Sequence, residues 1–486
     1  MKRLQHFLAI SIMLLSLLQT ATLLGISSTP MERTEQTGPT LEDPDLVVET
    51  VVTGLSQPTT MAFLTPDDLI ILQKNNGQVR RVHNGIIQAA PALDVHVNNR
   101  SERGLLGVAL APMFSTNSYV YLYYTESSTG KDTNNQDEAF GNRVYRYTWD
   151  GEALIDPNLI FDLPFAPGPN HDGGIILFGP DDMLYVVIGD LNRNGQLQNF
   201  VDGTSPDDTS VILRLNPDGS APPDNPFFNM QDPTDPINRY FAYGIRNSFG
   251  MAFDPVTGYL WDTENGPANY DEINIVPPGF NSGWEAIMGP DNRDSQDASK
   301  DLFNLPESVY RDPEFSWGWD AVGVTSLEFQ TSPKLGKQYL HDMFVGDTNE
   351  GYLYHFELNE QRDGLQFTTP GLTTDLVADN KQELEEIIFG QGFGTITDIE
   401  TGPDGWLYIC SYSQGAIYRV RSAFETTVLT TTTIVTMTNT TITTQITITT
   451  IILPEISLFL NRFWTLLVIW GVLIVIVIIR RSQMKK

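Results

Sequence analysis

Residues 170–190 read NHDGGIILFGPDDMLYVVIGD, and the part from Ile175 decides the fold. IILFGPDDMLYVVIGD is an apolar run, a Gly-Pro-Asp-Asp turn and a strand of Leu, Tyr, Val and Ile, the pattern of a β-hairpin. The same unit recurs as MAFLTPDDLIILQ from Met61, VALAPMFSTNSYVYLYY from Val108 and MAFDPVTGYLWDTENG from Met251. It returns as LEFQTSPKLGKQYLHDMFVGD from Leu327 and IETGPDGWLYICSY from Ile399. The starts lie 47, 67, 76, 76 and 72 residues apart. Self-similarity on this scale marks a repeat architecture, and a blade of four short strands takes about 40 residues. Helical periodicity is nearly absent. The reading is all-β, a six-bladed β-propeller; a jelly roll or paired sandwiches would leave the six similar units without a reason. An open ring would expose a strand edge. The strand-like LVVETVVTGL (Leu46 to Leu55) is therefore expected to pair with GAIYRV (Gly415 to Val420) in the last blade.

The same stretch holds the first candidate for chemistry. If its two strands pair about the turn, His171 and Asp190 arrive at one end of the hairpin. A carboxylate beside an imidazole orients the ring and stabilises its charged form, as a general base requires. The plainer alternative is a satisfied loop histidine and a strand-end cap. Propellers bind ligands at the mouth of the central channel with loops from several blades, so His171 should meet residues of other repeats there.

Charge narrows the partners. The chain has 486 residues, with 29 basic and 60 acidic side chains and a net charge of −31. That field repels nucleic-acid phosphates and suits hard cations such as calcium. One cysteine, Cys410, excludes an internal disulfide framework and a cysteine metal cluster; in WLYICSY it reads as a buried thiol. No Gly-x-Ser-x-Gly elbow or histidine cluster points to a hydrolase.

Both ends read as export or membrane segments. Residues 1–26 carry Lys2 and Arg3 before an apolar run, a signal-peptide pattern with an uncleaved anchor as the alternative. Residues 27–45 read as a polar linker, 46–422 as the propeller and 423–455 as a Thr-rich stalk. Residues 456–479 are apolar enough for a transmembrane helix, and 480–486 form a basic tail. The positive-inside rule places that tail in the cytoplasm and the propeller outside the cell, at the cell membrane. Asn99-Arg100-Ser101 and Asn439-Thr440-Thr441 are N-glycosylation sequons.

ERGLLGVALAP (Glu102 to Pro112), NHDGG with GPDDMLYVVIGD, LRLNPDGSAPPDNPF (Leu213 to Phe227), YGIRNSFGMAFDP (Tyr243 to Pro255), ENGPANYDEIN (Glu264 to Asn274) and GFNSGW (Gly279 to Trp284) occur in this order. In order and spacing the chain resembles the glucose/sorbosone dehydrogenase family, the soluble quinoprotein glucose dehydrogenases and aldose sugar dehydrogenases, from about Leu55 to Val420. The resemblance implies a six-bladed propeller that binds pyrroloquinoline quinone (PQQ) with Ca²⁺ and oxidises the C1 hydroxyl of aldose sugars. His171 matches the histidine that takes the hydroxyl proton, Asp190 its carboxylate partner and Arg246 the arginine beside the quinone oxygens. Gly266 and Pro267 match the pair whose backbone carbonyls ligate Ca²⁺, with Asp271 and Glu272 as further candidate ligands. Glu102, and Asp172 beside the histidine, are the substrate-contact candidates. The plainer alternatives are an Arg246 paired to a neighbouring carboxylate and a Gly266-Pro267 turn followed by solvated acids.

The pattern also departs from the family. Its members hold the quinone carboxylates with a lysine of the fifth repeat and two arginines before the last repeat's Asp. Here Asn349, Thr395 and Thr397 fall at those cofactor-binding places, while Asp398 is kept. The nearest cations, Arg362, Lys334 and Lys337, read as surface-loop residues. Two functions follow. One is a membrane-anchored quinoprotein oxidising a sugar and passing electrons to a membrane-side acceptor. The other is a non-catalytic propeller binding a glycan or protein, since the hedgehog-interacting proteins resemble this family and are ligand binders.

Overall fold

The computed structural model describes residues 38–424. The segment read as a signal peptide, most of the expected polar linker, most of the Thr-rich stretch, the apolar C-terminal segment and its basic tail lie outside the described residues, as does Asn439. Among the described residues no helix is long and apolar enough to cross a membrane. α-Helix there is limited to the single turns Phe114–Asn117 and Leu372–Asp375. The chain is an all-β propeller.

Its strands form six sheets. One edge strand of each belongs to one of the six sequence units: Pro58–Thr65, Leu105–Leu110, Ile176–Phe178, Ser248–Phe253, Val324–Phe329 and Ile396–Thr401. Each of these strands neighbours the next, and the last neighbours the first. Threonine hydroxyls bind adjacent sheets together. Thr59 Oγ1 donates to the Leu105 carbonyl at 2.9 Å, Thr325 Oγ1 to Ile396 at 2.8 Å and Thr397 Oγ1 to Pro58 at 3.0 Å. A β-branched hydroxyl suits this position: its methyl packs while its O–H meets a carbonyl that the sheet leaves unpaired.

The last sheet is closed by the start of the domain, as expected. Leu46–Thr53 pairs antiparallel with Ala416–Ser422, Val48 facing Val420 and Thr53 facing Ala416. The N-terminal linker ends sooner than the composition implied. Thr40–Leu41 already pairs with Ile388–Gln391, and Asp43 accepts the Tyr339 hydroxyl at 2.7 Å. Backbone pairing, which hydropathy does not register, holds this polar segment.

Apolar clusters fill the spaces between sheets. Cys410 is fully buried in the cluster that packs around the last sheet, and burial pushes its thiol far up, so it is an inert packing residue.

Candidate active site at the channel mouth

The hairpin that opened the sequence reading places its two site residues together. Ile176 faces Val186 and Phe178 faces Leu184, so the residues flanking the hairpin, His171 and Asp190, come to one end. His171 Nδ1 lies 2.6 Å from Asp190 Oδ1. With the carboxylate as acceptor, Nδ1 carries the proton and Nε2 is the ring's proton acceptor. His171 adopts φ 64°, in the left-handed region. Its backbone N–H donates to Glu102 Oε2 at 2.6 Å, which holds that conformation. Glu102 thereby joins the second sheet to the third, and Asn247 Nδ2 adds a bond to the same oxygen at 3.1 Å from the fourth.

Arg246 reaches this cluster through Trp284. The indole Nε1 donates to Asp190 Oδ2 at 2.7 Å, and the Arg246 guanidinium lies 5.1 Å from the indole centroid. Backbone pairing tightens the join: the Asp190 N–H donates to the Arg246 carbonyl at 2.9 Å. The arginine is not spent on a carboxylate. Its Nη1 donates to the Asn265 carbonyl at 2.8 Å, and its buried Nε has no partner among the described residues. Next to it the buried Asn247 Oδ1 is also unpartnered. Glu264 accepts the Arg246 N–H at 2.6 Å and the Ser282 hydroxyl at 2.6 Å, while burial raises its carboxyl to about 7.

The threonines that bind adjacent sheets line a cavity of about 200 Å³. All six sheets contribute to its wall, through Thr60, Glu102, Gly173, Phe249, Thr325 and Thr397. Thr395 also lines it, its hydroxyl donating to the Thr348 carbonyl at 3.2 Å. Asn349 lies outside the cavity wall. It is exposed, and its Nδ2 donates to the Ala321 carbonyl at 2.9 Å. Of the three neutral residues at the expected cofactor-carboxylate places, two face the cavity and one caps a loop. Arg362 cannot substitute, because it pairs with the buried Asp254 at 2.7 Å.

Two groups of candidates go elsewhere. Asp172 points away from the cavity into the interior. It is fully buried, 3.0 Å from Asn142 Nδ2 and 3.5 Å from Arg103 Nε, and burial raises it to about 6. It supports the loop behind His171 and does not line the cavity, unlike the substrate-contact place the sequence suggested for it. Asp271 and Glu272 do not form a metal cradle either. Adjacent strand residues point to opposite faces. Asp271 accepts the backbone N–H of Gly266 at 2.8 Å and of Gly323 at 2.6 Å, while Glu272 accepts that of Gly289. Burial raises both carboxyls. Among the described residues no group of three or more His, Cys, Asp or Glu could hold a metal ion. Any cation at this turn would rest on carbonyl oxygens such as those of Gly266 and Pro267.

Sequence reasoning missed three residues. Trp284 sat in a quoted motif without a role. Asn247 is the residue after Arg246. Lys74, in LQKNNG, lines the cavity and is only 9% exposed; its one signal was a lone lysine at the end of an apolar strand.

A β-propeller in which a carboxylate-oriented histidine and a nearby guanidinium stand behind the cavity-lining Glu102 defines a class: propellers of the sugar-dehydrogenase type. The particular family is equally plain. Residues 55–419 match the family described as Glucose / Sorbosone dehydrogenase, and the chain belongs to it. An aldose sugar dehydrogenase of Escherichia coli is 28% identical over 384 residues, covering 77% of this chain and 92% of that protein. The crystal structure of the soluble E. coli aldose sugar dehydrogenase in its apo form superposes with a TM-score of 0.58 at 27% identity, covering 78% of this chain and 99% of that one. Quinoprotein glucose dehydrogenase B of Acinetobacter calcoaceticus is 30% identical over 307 residues, 59% of this chain and 61% of its own. The human Hedgehog-interacting protein is 31% identical over 233 residues, 43% of this chain and 31% of its own.

Proposed function

We propose that this chain is a membrane-anchored, extracellular dehydrogenase that oxidises the C1 hydroxyl of aldose sugars or related alcohols, with PQQ as the hydride acceptor. The observation that carries the reading is the 2.6 Å His171–Asp190 pair, joined to Arg246 through Trp284. In this reading His171 Nε2 takes the hydroxyl proton while Asp190 holds the ring and stabilises its cation. Glu102 accepts from sugar hydroxyls with the oxygen that His171 and Asn247 leave available. Bound PQQ supplies the two-electron acceptor for the C1 hydride. Arg246 Nε and Asn247 Oδ1, both lacking partners, suit the polar edge of such a group. Ca²⁺ enters through the carbonyls of Gly266 and Pro267, without Asp271 or Glu272. Six blades closed by the N-terminal strand carry the site. The apolar stretch 456–479 tethers the propeller outside the cell, where electrons pass to a membrane-side acceptor.

The test is turnover. The full chain in detergent, given PQQ and Ca²⁺, should reduce an artificial electron acceptor when supplied with aldoses, and His171→Ala should not. Absence of any aldose-dependent reduction by the wild type sinks the reading. A second reading, a propeller that binds without catalysis, is favoured by Thr395, Thr397 and Asn349, whose polar groups contact backbone carbonyls where a cofactor clamp would stand. Under it, ligand binds but no electrons reach the acceptor.

A further inference from the structure

The cavity wall has one unusual feature: five of its threonine hydroxyls have already spent their protons. Thr59 donates to Leu105, Thr60 to Leu106, Thr325 to Ile396, Thr395 to Thr348 and Thr397 to Pro58, each to a backbone carbonyl. A hydroxyl has a single proton, so toward the cavity these five side chains can only accept. Glu102 adds a carboxylate to the same wall. These acceptors, set among the apolar Leu106, Ile175 and Phe249, suit a ligand that carries hydroxyls beside an apolar or planar face.

Lys74 is the exception. It is the cation in this wall, fixed where the strand Asp68–Gln73 ends. Its backbone is held on both sides: its N–H donates to Gln57 at 3.0 Å, and its carbonyl accepts from Leu105 at 3.0 Å. Its stem passes over Gly104, where an added Cβ would meet Lys74 Cγ at 2.7 Å. The ammonium donates to the Ser101 carbonyl at 2.6 Å and to Asn75 Oδ1 at 3.1 Å. Two of its three N–H groups are thus used by the described residues. No carboxylate forms an ion pair with it among them, although Glu102 and Asp172 both act on its charge. Burial lowers its pKa to about 8. A buried ammonium whose direct partners are neutral oxygens, with its carboxylates acting only at a distance, is costly, and an anion in direct contact offsets that cost.

We propose that Lys74 is the carboxylate-binding residue of the channel mouth, so that the ligand seated there is hydroxyl-rich or planar and presents one carboxylate to this ammonium. Two sources share that chemistry: a uronic acid as the oxidisable sugar, and a carboxylate of the quinone. The inference deepens the dehydrogenase reading and rests on it for the identity of the ligands, but its test is binding and not turnover.

The experiment titrates the full chain in detergent with D-glucuronate, D-glucose and PQQ by calorimetry, for wild type, Lys74→Met, Lys74→Arg and His171→Ala. Lys74→Met should weaken at least one carboxylate probe by about tenfold or more, the loss of a charge-assisted hydrogen bond. It should leave the affinity for neutral glucose unchanged, and Lys74→Arg should retain most of the binding. Weakening of glucuronate alone assigns Lys74 to the substrate; weakening of PQQ alone assigns it to the cofactor. Equal binding by wild type and Lys74→Met, with matching thermal melts, overturns the proposal, as does failure of the wild type to bind either carboxylate. Catalytically dead His171→Ala should keep the Lys74-dependent affinity. A protein that binds in this way but never turns over would refute the dehydrogenase reading and leave this one standing.

Discussion

Trp284 and Asp190, from different repeats, meet through a 2.7 Å hydrogen bond from indole Nε1 to carboxylate Oδ2. Asp190 Oδ1 takes the His171 ring at 2.6 Å and the Asn192 N–H at 2.6 Å. Both oxygens are therefore engaged, and the carboxylate cannot turn away from the imidazole. The same indole lies under Arg246, so one side chain sets the spacing of base and guanidinium.

Trp284→Phe removes the bond but keeps most of the ring. The loss should be about 1–3 kcal/mol in the positioning of a charged acceptor, seen as a fall in aldose-dependent dye reduction of about tenfold or more. The melting temperature should drop by only a few degrees. Activity equal to wild type would show that Asp190 needs no second anchor.

Asp190→Asn keeps the shape of the pair and changes its protonation logic. A neutral amide no longer favours the Nδ1-protonated ring or its cation. Turnover should fall by about 100- to 10,000-fold, with near-wild-type stability by thermal melt. A small effect would remove His171 from the role of base.

Gly189 sits where the chain segments bearing the base and the guanidinium cross. A Cβ there would press on the Arg246 carbonyl and lie 2.6 Å from the His171 carbonyl. Gly189→Ala should cost about 1–3 kcal/mol of stability through forced backbone shifts and reduce turnover more than it reduces stability. Chemical denaturation alongside kinetics separates the two. An alanine variant indistinguishable from wild type would mean that the crossing is loose.

Stability should depend on pH through Asp347. This carboxyl is fully buried, bonded to the Gly351 N–H at 2.7 Å and the Tyr354 hydroxyl at 2.8 Å, and burial raises it to about 7. An acid with a raised folded-state pKa stabilises fully below the ordinary carboxylate range and loses that contribution as pH rises through about 7. The melting temperature should therefore decline between about pH 4 and 7. Asp347→Asn should flatten part of that slope; an unchanged slope would place the linkage on other buried acids.

Much of this molecule was legible in one dimension. The repeated apolar-turn-aromatic units located one edge strand of all six sheets, because strand alternation and turn chemistry are local properties. The hairpin logic brought His171 beside Asp190 for the same reason. Arg246 was reached through its GIRN motif and the family resemblance, not through local pattern.

What the sequence by itself determined, then, is the repeat, the strands and the pairing of His171 with Asp190, since these depend on neighbours along the chain. The direction in which acids face, and which cation is left in the cavity, were decided only by tertiary structure. Asp172 turned inward because Arg103 and Asn142 wait there. Asp271 and Glu272 separated because backbone amides on opposite faces claimed them. Lys74 became the cavity's cation because sheets distant in sequence closed around it and used up every threonine proton. Burial and hydrogen-bond competition are sums over spatial neighbours, and those neighbours exist only once the ring has closed.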